Sequence, residues 1–342
     1  MNGRRVWFVV ALGALAAGGA VSMRAQGAVQ IRMATVVPQG SLWDESLQYI
    51  RQEWGRISGG SVHVSIYAGG TQGDEAETVR KVNRGQLQAV ALSSVGLSRI
   101  DSGVACLQLP LLIDSYAELD YVRDRLAAAL EQRMEAKGFK VLNWADGGWV
   151  YAFARSPVRT PDDLRARKLF TSAGDPESER LYKRFGFRVV PLSLSDLVTS
   201  LQTGMIDAFT SVPLFALLNE SYKLAPHMTD VRWAPLVGGT VISVRTWERI
   251  PQASRAPLLA AARSAGDRLR ADIRKMDADA VKQMESRGLK VAVVDAATRA
   301  QWQKTAEDAY PALRGEYCPA DLFDEVLRLR DAYRKQADAG AR

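Results

Sequence analysis

Few residues in this chain are placed to carry out covalent chemistry. The two histidines are His63, in an alternating apolar stretch, and His227, in the connection Pro226-His227-Met228. Neither neighbours a Gly-x-Ser-x-Gly elbow, which the sequence lacks. Asp162-Asp163 is a carboxylate pair of the kind used in acid–base work, but it follows Thr160-Pro161 at a helix start. Acids there complement the helix dipole. Cys106 and Cys318 lie 212 positions apart, and Cys106 sits in the apolar run 104–109. That is the setting of a small buried thiol, with a disulfide as the alternative in an oxidising compartment. No Cys or His cluster has metal-ligand spacing. The residue chemistry points to a protein that binds: not an enzyme, with no cofactor and no metal.

The elements that would position a binding site follow from periodicity. Residues 29–36 and 62–67 alternate as strands, 41–57 carries apolar residues at helical spacing, 74–83 reads as a helix and 87–93 as a strand. This βαβαβ order predicts a mainly parallel sheet flanked by helices. Residues 116–137 read as a long helix, and 140–145 and 149–154 as two strands. Thr160-Pro161 opens a short helical turn as N-cap and first helical residue. A strand at 168–171, a helix at 177–185, a strand at 188–190, a helix at 193–202 and a strand at 206–210 form a second α/β group. Residues 237–244 then read as a strand returning to the first group. In 254–287, Leu258, Ala262, Ala265, Leu269, Ile273, Met276, Ala280 and Met284 recur every three to four positions. Such a helix would be about 50 Å long, enough to brace two lobes. The expected fold is α/β and two-lobed, with a long bracing helix and a cleft between the domains, where small-molecule sites usually lie. Its lobes would be 29–147 with about 236–280, and 148–235 with about 281–342.

The N-terminus reads differently. Arg4 and Arg5 precede an uncharged run over 6–21, and Ala20, Ala25 and Ala28 are candidate cleavage positions. This is the layout of a secretory signal peptide over 1–28, with a retained anchor as the alternative. The formal net charge is +7; the first 28 residues hold three Arg and no acid, which leaves +4 for the rest. Lys and Arg are interspersed with acids, as in Arg123-Asp124-Arg125. That is the pattern of solvated helix faces and not of a nucleic-acid stripe.

Several motifs carry a resemblance. They are the run from Pro191 to Ala208, containing Leu201-Gln202-Thr203-Gly204 and Asp207, then Thr160-Pro161-Asp162-Asp163-Leu164, and Gly73-Asp74-Glu75 with Arg84-Gly85-Gln86-Leu87. In their order and spacing, over about residues 30–335, the chain resembles the periplasmic solute receptors of tripartite ATP-independent periplasmic (TRAP) transporters. The resemblance implies a periplasmic-binding-protein-like fold, a periplasmic location and a small-molecule ligand. It also implies hinge closure of the lobes over that ligand, and docking on the membrane permease subunits of a TRAP transporter.

One position departs from the family pattern. Most members bind organic acids through an Arg in the strand after the Thr-Pro-Asp-Leu turn. The matching run here is Lys168-Leu169-Phe170-Thr171-Ser172, with Phe170 in the Arg place, and a second basic position aligns near Val150. Arg offers a planar fork to a carboxylate and Phe offers no donor. The expectation is therefore a neutral or partly hydrophobic ligand, with Trp43, Trp149, Tyr151, Phe170 and Phe209 in the lining. Gln72, Ser93, Ser94 and Ser211, with Thr210, would supply hydrogen bonds. The alternatives are an organic acid read by another cation, such as Arg155, Arg167 or Lys168, or a non-transport scaffold or lipid carrier on the same fold. Receptors that lack the Arg, some tied to helical-repeat partner proteins, are the nearest analogy.

Overall fold

The computed structural model of the protein describes residues 28–340, so all but the last residue of the stretch read as a signal peptide lies outside the described residues. The first elements are β1 (Val29–Thr35), α1 (Leu42–Ile57), β2 (Val62–Tyr67), α2 (Glu75–Asn83), β3 (Ala89–Ser93) and α3 (Ser94–Ser98). A 3-10 turn (Ser102–Gln108), α4 (Tyr116–Ala136), β4 (Phe139–Ala154), α5 (Pro161–Arg165), β5 (Lys168–Ser172) and α6 (Pro176–Arg184) follow. Next come β6 (Arg188–Leu192), α7 (Leu197–Thr203), β7 (Ala208–Ser211), α8 (Pro213–Leu218), β8 (His227–Thr229) and β9 (Ala234–Ser243). The chain closes with α9 (Val244–Trp247), α10 (Gln252–Glu285), β10 (Lys290–Ala292), α11 (Ala296–Glu316) and α12 (Ala320–Gly340).

The strands run in the order β2-β1-β3-β9-β4-β7-β5-β6. The β1–β2 and β1–β3 pairs are parallel, as the βαβαβ pattern predicts, and so are β5–β6 and β5–β7. The antiparallel pair β4–β9 joins the two groups into two lobes: β4 lies against β9 from Phe139 to Val150 and against β7 from Tyr151 onward. His227 is in a strand and not a connection, since β8 pairs with both β4 and β10.

The sequence suggested two strands where the structure has the single strand β4. Asp146-Gly147-Gly148 is a register shift against β9 and not a turn. A Cβ on Gly147 would stand 2.5 Å from the Leu236 side chain, and Gly148 has φ +111°. Both positions therefore require glycine for the strand to continue.

Helix α10 is the expected brace. It runs for 34 residues and buries Leu258, Ala262, Ala265, Leu269, Ile273, Ala280 and Met284, while Met276 is exposed. Gly266 lets it press on β4, because a Cβ there would stand 2.5 Å from the Trp144 carbonyl oxygen. The last helix was grouped by sequence with the second lobe. Instead α12 packs on α4 of the first, where Arg334 donates to Glu118 and Asp114. Cys106 and Cys318 are both buried and unlinked. Their side chains meet, and the contact together with burial pushes the Cys106 thiol up.

Candidate functional site

A cavity of about 400 Å³ lies between the lobes, within the range of small-molecule sites. The first lobe supplies Thr35 at the end of β1, Trp43 on α1, Asp74 and Glu75 at the start of α2, and Ser93 at the end of β3. The second supplies Phe170, Thr171 and Ser172 on β5, Thr210 and Ser211 on β7, and residues of α6 and α11. Its back wall is the crossing segment, with Ala145, Asp146 and Gly147 of β4 facing Leu236 to Thr240 of β9. Strand ends thus meet the cleft from both sides, as in other open α/β sheets.

Of the residues picked from sequence, Trp43, Ser93, Phe170, Thr210 and Ser211 line this cavity. Trp43 is half-buried, and its indole donates to the Asp146 carbonyl across 3.4 Å. Phe170 is half-buried at the cleft, on the face of β5 opposite the buried Leu169 and Thr171. Ser93 is committed within the protein: its amide and its hydroxyl both donate to Glu75, each at 2.6 Å.

The other five are placed elsewhere. Trp149 is buried beside Tyr116, with ring centroids 5.4 Å apart. Tyr151 is buried and its hydroxyl engages Arg232. Phe209 is fully buried and stacks on Phe153 at 5.1 Å. These three belong to the core because the side chains packed on their face of the sheet cover them. Ser94 is buried against Gln108, and Gln72 sits in a turn where its carbonyl accepts from Lys81 at 2.7 Å.

The electrostatics of the wall are one-sided. Among the described residues the lining holds the carboxylates Asp74, Glu75, Asp146 and Asp175 and no Lys, Arg or His. Lys168 turns its ammonium to the Gly204 carbonyl, Arg167 reaches the Pro157 carbonyl, and Arg155 is exposed. Asp146 is neutralised from behind by Arg123 at 3.2 Å and Arg274 at 2.6 Å. Burial pushes the Glu75 carboxyl up, opposed by donors from Ser93 and Gly96. Asp175 accepts from Arg99 at 3.3 Å, and Arg99 also donates to Glu177 at 2.5 Å, so first and second lobes are tied at the rim.

Sequence reasoning passed over these acids and the aromatic side chains deeper in the second lobe: Tyr182, Phe185, Phe187, Trp233 and Tyr317. The Phe185-Gly186-Phe187 cluster was the available signal, but it read as the end of a helix.

The family described as bacterial extracellular solute-binding protein, family 7, matches residues 33–315. The chain belongs to this family. Family 7 members are solute-binding proteins and not enzymes. A solute-binding protein of Verminephrobacter eiseniae is 26% identical over 270 residues, covering 78% of this chain and 79% of the relative. A TRAP periplasmic solute-binding protein of Ralstonia eutropha, solved with bound (S)-2-acetolactate, superposes with a TM-score of 0.83 at 20% identity. The match covers 89% of this chain and 99% of that one. The sugar acid binding protein of Advenella mimigardefordensis, solved with galactonate, gives 0.83 at 18% identity, with 90% and 99% covered. This family 7 protein therefore has the two-lobed TRAP receptor fold.

Proposed function

We propose that this family 7 protein is a periplasmic receptor that captures a neutral or partly hydrophobic small molecule and delivers it to the permease of a TRAP-type transporter. One observation carries the ligand class: a cleft walled by four carboxylates and by no cation. A carboxylate ligand would be desolvated there without a partner, and an unpaired buried charge costs several kcal/mol. Phe170, where the resemblance places an Arg, instead offers apolar surface. The lobes would close about the β4–β9 crossing, with the Arg99 contact at the rim holding the closed form. Export by the N-terminal leader accords with the family description.

The test is a thermal-shift screen of carboxylic acids against their matched amides and alcohols. Amides and alcohols should raise the melting temperature and the acids should not. Acids that stabilise while their amides fail overturn the reading.

A second reading is favoured by the acids bound in the two solved relatives, acetolactate and galactonate. In it an organic acid is held by Arg99, swung inward from its carboxylate partners. Arg99→Ala would then abolish stabilisation by acids, whereas under the first reading amide binding is only weakened, through looser closure of the cleft.

A further inference from the structure

The cavity does not end at the strand tips. Behind β5 it continues into the second lobe, between the sheet, α6 and α11. Tyr182, Phe185, Phe187, Trp233, Ala306 and Leu313 surround this inner part. Its polar edges are already used. The Trp233 indole N–H lies near the Tyr182 hydroxyl, and Tyr182 packs edge-on to Phe187 at 5.5 Å. Trp233 in turn stands edge-on to Trp302 at 5.8 Å, and the Trp302 indole donates to the Arg159 carbonyl at 2.7 Å. What faces the chamber is mainly ring faces and aliphatic surface; the Tyr317 hydroxyl at its edge already accepts from Ser178 at 3.4 Å, so an apolar occupant suits the interior better than water does. Helix α6 roofs it. That helix buries no residue of its own fully, and it is tied to the first lobe by Arg99–Glu177. The roof therefore closes with the cleft.

We propose that this chamber is the subsite for an alkyl tail, and that the solute is an amphiphile whose polar end stays among Ser211, Thr210 and Asp74 in the cleft. The proposal rests on the receptor reading above and narrows its ligand class. It does not depend on whether the polar end is charged.

The experiment is calorimetric titration of the protein with n-alkyl carboxamides from butanamide to decanamide, and with the matched carboxylates. Each added methylene should tighten binding about fourfold until the chamber is full. Ala306→Phe, which fills the chamber, should flatten this dependence. Tyr182→Ala, which enlarges it, should move the plateau to longer chains and decides the matter if the first variant does not fold. A gain along the carboxylate series alone supports the chamber and overturns the neutral-ligand reading. No gain in either series overturns the chamber, and so does a dependence that neither variant alters.

Discussion

Arg99 and Glu177 meet across the mouth of the cleft, the guanidinium donating to the carboxylate at 2.5 Å, with Asp175 as a second acceptor at 3.3 Å. Arg99 follows α3 on the first lobe, and Glu177 opens α6 on the second. Both side chains are partly screened from water, at 22% and 35% exposure. The contact is therefore worth on the order of 1 kcal/mol, the upper end of the range for partly exposed pairs. Arg99→Ala should widen the cleft in solution and weaken ligand binding about fivefold, read by small-angle scattering and calorimetry on the same samples. Unchanged scattering and affinity would remove Arg99 from the account of closure.

A second prediction concerns the wall behind the ligand. Asp146 is buried on β4 and joins Arg123 of α4 to Arg274 of α10, with Asp120 accepting from both arginines. Arg123 is itself only 3% exposed. Removing one partner of such a network leaves buried cations under-compensated. Asp146→Ala should cost about 3 kcal/mol in urea unfolding, with a neutral substitution at an exposed pair such as Lys304–Asp308 costing well under 1 kcal/mol.

A third prediction is a pH effect. Asp277 on α10 faces the β4 irregularity, where its carboxylate accepts from the Trp149 amide at 3.4 Å and the Tyr116 hydroxyl at 3.5 Å. One of its oxygens is buried without a partner. Burial pushes this carboxyl from 3.8 up to about 6. Below about pH 4 the group is protonated in both folded and unfolded chains. Between about pH 4 and 6 the folded chain keeps a proton that the unfolded chain has released, so stability falls as pH rises. Above about pH 6 the cost is constant, at roughly 3 kcal/mol. Asp277→Asn should therefore stabilise the protein at pH 7.5 by about 1–3 kcal/mol and give little at pH 4, read as urea midpoints at the two pH values.

A fourth concerns specificity. Phe170→Arg returns a guanidinium to the cleft and removes an apolar wall. Affinity for the retained ligand should fall about tenfold or more, and small carboxylates should begin to raise the melting temperature. A variant that binds the native ligand as well as the parent would show that the ring does not touch it.

The fold was legible where one period held over many residues. Residues 41–57 and 254–287 repeat at helical spacing, and α1 and α10 match them within a few positions. The short elements α3, α8 and β8 were not legible, since three to six residues carry no period. Asp146-Gly147-Gly148 read as a break because glycine pairs usually end strands, whereas here they let β4 bend past Leu236 and Asp277. Half-buried Trp43, Ser93, Phe170 and Ser211 fall at the cleft, where strand ends and the first helix converge. Trp149, Tyr151 and Phe209 alternate along strands in a way that fits either face, and only the elements packed against each face decide which one is interior. The inner chamber depends on α6, α11 and Trp233 coming together from distant parts of the chain, which no local pattern records.

The most direct measurement is mass spectrometry of the small molecule that stays with the protein through gentle purification from the periplasm. A walled cleft of carboxylates and rings predicts an uncharged polar group on a hydrocarbon tail. A short sugar acid or dicarboxylate recovered in stoichiometric amount would contradict it.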